Sequence, residues 1–71
     1  MTRQILIERL ERLYNRMSPG IEYMDRDNVI FTKTDIRNII YSIKNQERSL
    51  LSISDSKLIM TVANDIWRQV R

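Results

Sequence analysis

The chain is expected to be all-α: a small three-helix bundle that associates as a homodimer. Three observations predict this. Apolar residues recur at steps of three and four in three separate stretches. The pattern [ST]-x-x-D stands before two of those stretches, as Thr32 to Asp35 and Ser52 to Asp55. The single proline and the single glycine fall together at Pro19 and Gly20, so composition elsewhere barely interrupts a helix.

The first helix is expected over residues 3–17. Leu6, Leu10, Leu13 and Met17 are spaced four, three and four apart, which is one face of a helix, and Ile7 and Tyr14 widen it. Ser18-Pro19-Gly20 ends it, because the residue before a proline is pushed out of the helical region. Residues 20–31, GIEYMDRDNVIF, follow. They are expected to form a loop whose apolar residues plug the core, with Glu22, Asp25 and Asp27 as an acidic patch. The alternative is a small hairpin that pairs IEYM with VIF around Asp25 to Asn28.

The second helix is expected over 33–48. Thr32 or Thr34 can cap it, since a threonine oxygen accepts an otherwise orphan backbone N–H. With Thr32 as cap, Asp35 takes the third helical position, where it completes a short capping box and meets the positive end of the helix dipole. Ile36, Ile39, Ile40 and Ile43 make its buried stripe. The third helix is expected over 53–70, capped by Ser52 or Ser54. Its apolar arc of roughly 200° exceeds the stripe of about 100° or somewhat more that one packing partner needs. Leu58, Val62 and Ile66 are expected to meet one helix of the chain, and Ile59, Ala63 and Val70 the other. Met60 and Trp67 are left for a second subunit.

Length supports self-association. Seventy-one residues make one domain, 1–71. A chain this short buries only about 60% of the surface its unfolded state exposes. It has no cysteine and no histidine, which excludes disulfides, thiolate and histidine metal sites, and histidine acid–base chemistry. Tight packing or association must compensate. No cofactor and no metal are expected. The run DRDNVIFTKTDI resembles a calcium loop only at Asp25 and Asp27: Ile30 stands where glycine is needed and Ile36 where glutamate is needed. With no phosphate-cradling glycine loop and little room to build a pocket, an enzyme is not expected. The start of the chain lacks the uncharged apolar core of a signal peptide, and no apolar run is long enough to span a membrane, so cytoplasmic residence is the default.

Two kinds of partner remain. Net charge is +3. On the second helix Arg37, Tyr41, Lys44 and Arg48 are spaced four, three and four apart, a basic stripe with an aromatic in it that could track a phosphate backbone. Arg9, Arg12 and Arg16 make a second stripe on the first helix, and Lys57, Arg68 and Arg71 lie on the polar side of the third. The same residues would also serve as an ordinary solvated face, with Glu8 placed four before Arg12 to pair with it. A helix-turn-helix is disfavoured: the connection RSLLSIS is apolar and lacks glycine, and Asp55 would face phosphate. The sequence therefore points first to a non-enzymatic regulatory or adaptor protein that binds another macromolecule as a homodimer, with an unidentified protein as partner. A DNA-binding regulator that uses the second-helix stripe is the alternative.

Overall fold

Helix α1, Arg3–Arg16, presents Leu6, Ile7, Leu10 and Leu13 to the interior, all buried. This computed structural model describes residues 3–45 and 53–70. Met17 closes the last turn by donating its N–H to the Leu13 and Tyr14 carbonyls at 3.0 and 3.2 Å. Gly20 then adopts φ +79°, a left-handed conformation that glycine reaches without steric cost.

The segment expected as a loop is instead a β-hairpin. Strand β1, Tyr23–Met24, pairs antiparallel with β2, Ile30–Phe31, with Tyr23 opposite Phe31 and Met24 opposite Ile30. Its turn chemistry explains why. The Asn28 N–H donates to the Asp25 carbonyl at 3.1 Å, the Asp25 N–H donates to the Val29 carbonyl at 3.0 Å, and Asn28 has φ +64°. That is a three-residue loop with a left-handed residue in last place, and asparagine tolerates that region better than most residues. The Asp25 carboxylate accepts the N–H groups of Asp27 and Val29, each at 2.9 Å, and is itself buried. The acidic patch is thus partly a turn-forming device. The plug is also smaller than expected: Tyr23 is buried and Phe31 half-buried, while Met24, Val29 and Ile30 are exposed.

Helix α2, Lys33–Asn45, begins with the expected box. The Asp35 carboxylate accepts the Thr32 N–H at 2.8 Å and the Thr32 hydroxyl at 3.1 Å, and the Asp35 N–H donates back to that hydroxyl oxygen at 3.4 Å. Ile36, Ile40 and Ile43 are buried. Arg3 reaches across from α1 and donates to the Ile43 and Lys44 carbonyls, so a cation sits at the negative end of α2. Residues 46–48 of the expected helix, and Ser52 of the expected second cap, lie outside the described residues. Helix α3, Ile53–Trp67, buries Ala63 and Ile66.

The three helices form a small bundle organised by α1. Both α2 and α3 pack on it, the hairpin lies with β1 against α3 and β2 against α2, and no Cα of α2 comes within 8 Å of one in α3 among the described residues. The wide apolar arc of α3 therefore does not meet a helix on each side as expected. Leu58, assigned to one of those contacts, is 61% exposed.

Candidate functional site

Three surfaces bear on function, and each is set by how α1 holds its neighbours. The first is the gap between α2 and α3. Leu10 and Ile36 form its floor, Ile39 lines the α2 side, Leu58, Ile59 and Val62 line the α3 side, and Phe31 closes one end. The cavity measures about 160 Å³ and is lined by apolar side chains alone. The groove follows from the packing just described: two helices splayed over a third leave an apolar trough wherever their inward faces do not meet.

The second surface is the α2 stripe. Tyr41 is 69% exposed, and Arg37 lies at a shallow cleft between α1 and α2 with Glu11, Tyr14, Asn15 and Ile40. Lys44 donates to the Glu11 carboxylate at 3.4 Å, so an acidic residue of α1 offsets part of the stripe's charge. The Lys33 ammonium lies 4.7 Å from the centre of the Tyr14 ring. Arg48 lies outside the described residues. The structure thus brings Arg37, Tyr41 and Lys44 onto one face and sets Glu11 beside them.

The third surface runs along α1 and α3. The guanidinium carbons of Arg9 and Arg16 lie 4.8 and 5.0 Å from the centre of the Trp67 ring. Arg9 also donates to the Asn64 side-chain oxygen at 3.0 Å. Arg12 stands between the two on the same helix face, exposed, and Arg68 follows Trp67, also exposed. The pairing of Glu8 with Arg12 that the sequence suggested does not form; Glu8 accepts instead from Gln4 at 3.5 Å. Among the described residues the ion pairs are Arg26–Asp65 and Lys44–Glu11, so none of these four arginines has a carboxylate within pairing distance. Met60 and Trp67 are both half-buried against the core. The Arg9 and Arg16 guanidiniums cover the Trp67 ring.

A fourth feature fixes the hairpin and was not legible beforehand. Arg26 clamps the Asp65 carboxylate with two parallel bonds, Nε to Oδ2 and Nη2 to Oδ1, both 2.9 Å, and its backbone N–H adds a third at 3.1 Å. Those hydrogen bonds hold the Asp65 carboxyl below the usual aspartate range, and the pairing raises the Arg26 guanidinium in turn. Gln69 accepts the Met24 N–H at 3.2 Å and donates to the Met24 carbonyl, so a side-chain amide stands in for a neighbouring strand along the β1 edge. The Tyr23 hydroxyl oxygen accepts the Ser18 N–H at 3.0 Å. The available signal was Asp25-Arg26-Asp27-Asn28, a turn composition. Nothing in the sequence marked Asp65 and Gln69 as its partners.

The described residues hold no group of acidic side chains placed to bind a metal ion, and none of their helices is long and apolar enough to cross a membrane. Compared with protein-family models, curated proteins and solved structures, the chain matches none at a significant level.

Proposed function

We propose that the chain is a non-enzymatic adaptor or regulatory protein that acts through macromolecular contact, and that it self-associates through the groove between α2 and α3. The observation that carries this reading is the groove itself. Its floor and both walls are apolar, and Leu58 stands exposed on its rim. An exposed apolar side chain beside an apolar hole is self-complementary. Around a two-fold axis, Leu58 of each copy enters the groove of the other, the residue-for-residue reciprocity that such an axis requires. Apolar cavities of this order, ~150 Å³, accept a group the size of benzene, so a leucine side chain fits. The small core of a chain this length gives the association something to compensate.

Met60 and Trp67 offer a different dimer surface. Trp67 is nine residues from Leu58, about 180° round the helix, so the two readings place the partner on opposite sides of α3. Sedimentation equilibrium distinguishes them. The wild type is expected at twice the 8.6 kDa chain mass at micromolar concentration. Leu58→Asp is expected to return it to the chain mass, while Trp67→Phe leaves it paired. A monomeric wild type overturns self-association. A dimer that survives Leu58→Asp and is lost in Trp67→Ala moves the interface to Met60 and Trp67.

A further inference from the structure

We infer that the α1–α3 face formed by Arg9, Arg12, Arg16, Trp67 and Arg68 binds the phosphate backbone of a nucleic acid. The inference does not depend on self-association, and it names a surface other than the α2 stripe. Arg9 and Arg16 meet at the Trp67 ring, Arg12 lies between them on α1 and Arg68 follows the ring in the chain, and no carboxylate lies within ion-pairing distance of any of the four among the described residues. The nearby acids are otherwise engaged: Asp65, which lies within reach of the Arg68 charge, is held by Arg26 through both oxygens, Glu8 accepts from Gln4, and Glu11 pairs with Lys44. Like charges gathered without an ion-pair partner repel each other, and the chain keeps that repulsion here although it carries nine acidic residues. On the α2 stripe it does offset it, with Glu11 against Lys44.

The type and arrangement of the cations favour phosphate. All four are arginine, whose planar fork binds phosphate oxygens in pairs. Arg9 and Arg16 are held against the indole of Trp67, and Arg9 is further held by Asn64, so part of their conformational entropy is spent before a ligand arrives. From Arg9 to Arg16 the helix rises about 10.5 Å at 1.5 Å per residue. One strand of a duplex rises about 3.4 Å per nucleotide, so the span from Arg9 to Arg16 covers about three nucleotide steps. Trp67 supplies an aromatic ring among them, on which an unpaired base can stack once a guanidinium moves to phosphate.

The test uses the full chain and two probes of about 20 nucleotides, one single strand and the same sequence as a duplex, followed by fluorescence anisotropy from about 50 to 200 mM salt. Binding is expected to weaken as salt rises. Among the described residues neither Arg12 nor Arg68 forms an ion pair, so Arg12→Gln/Arg68→Gln is the working variant, with circular dichroism confirming its helix content. It is expected to lower affinity by about tenfold or more and the salt slope by about two, one per lost phosphate contact. Arg37→Gln/Lys44→Gln is expected to leave both unchanged. The chain has a single tryptophan, so fluorescence excited where tyrosine does not absorb reports on this surface alone. It is expected to change on binding, and more with the single strand if a base stacks on the ring. No anisotropy change with either probe at about 50 mM salt overturns the inference. So does a salt slope that the α2 variant lowers and the Arg12/Arg68 variant does not. Competition by polyglutamate as effective as that of the unlabelled strand overturns it as well, because the face then reads acidic protein as readily as phosphate.

Discussion

Leu58, Val62, Asp65 and Gln69 are spaced four, three and four apart and form one stripe of α3, yet the two halves of that stripe end in opposite conditions. The C-terminal half is polar and closed. Asp65 takes three hydrogen bonds from Arg26, and Gln69 pairs with both backbone groups of Met24. The N-terminal half is apolar and open, with Leu58 exposed beside a groove that the described residues do not fill. The hairpin accounts for the difference. Each strand has two residues, so the hairpin reaches the last turns of α3 and stops at Phe31. Where it covers α3, directional polar contacts fix its position. Where it does not, apolar surface is left without a partner among the described residues, and burial of such surface is the general driving force for association.

The comparison is broken most severely from beneath, by removing a side chain on which both halves depend. Ile66 lies between them, fully buried, and Leu10 lies under the groove, almost fully buried. Ile66→Ala and Leu10→Ala are each expected to cost about 2–5 kcal/mol, a large share of the stability of a small domain. Urea denaturation measures it. Leu58→Ala is the contrast: below the concentration at which the chain associates, its cost is expected to stay within about 0.5 kcal/mol. A Leu58 cost equal to that of Ile66 would mean that the groove is covered within one chain.

The closed half is tested next, through the turn that aims the hairpin. Asp25→Ala leaves the Asp27 and Val29 N–H groups without their carboxylate and removes a buried acceptor. About 1–3 kcal/mol is expected. Amide exchange should quicken at residues 24–30 and remain slow at Leu10 and Leu13. Uniform quickening across α1 would show that the hairpin is part of the global unfolding unit and not a separately opening one.

The capping box of α2 should matter less. Thr32→Ala removes the hydroxyl that the Asp35 N–H uses and one donor to its carboxylate, and Asp35→Ala removes the acceptor of two bonds. Each is expected to cost about 0.5–2 kcal/mol. Because the two share one set of bonds, the double variant should cost less than the sum of the singles. Strict additivity would show that the box does not act as a unit.

These expectations differ in how far the sequence alone supplied them. Leu6, Leu10, Leu13 and Met17 are buried as their spacing predicts, as are Ile36, Ile40 and Ile43, while Ile39 of the same expected stripe is only half-buried. The Thr32–Asp35 box is present because its geometry is local. Periodicity and capping are properties of one segment, and one segment is enough to read them. The hairpin was readable in part: an aspartate at the start of the turn and an asparagine where a left-handed residue is needed are turn signals, but two-residue strands show no alternation to confirm them. The splay of α2 from α3 was not readable. It is set by how both helices sit on α1, and the breadth of an apolar arc does not say whether a neighbour reaches it. The arginines around Trp67 lie on two helices, and only the packing of α1 on α3 brings them together.

The smallest effect is the pH dependence of the clamp, and its sign follows from the Asp65 shift. Hydrogen bonds from Arg26 hold the folded carboxyl below its usual range, and the unfolded reference for aspartate is about 3.9. A group whose folded pKa is depressed contributes stability that is complete above the unfolded value and is lost as pH falls through the folded one. The window therefore lies on the acid side of about pH 4, and near-neutral stability should not depend on pH through this pair. Arg26 is 62% exposed in its side chain, so solvent and salt screen the interaction and the effect is modest. The useful measurement is the difference between two proteins, which isolates the pair. Between pH 5 and 2 the urea midpoint of the wild type is expected to fall further than that of Arg26→Met, and about 1 M salt should narrow the gap. Parallel curves would show that the Arg26–Asp65 bonds position the hairpin without stabilising it. The closed half of the α3 stripe would then owe its stability to Gln69, Asp25 and Tyr23, and Gln69→Ala should expose the Met24 amide to faster exchange.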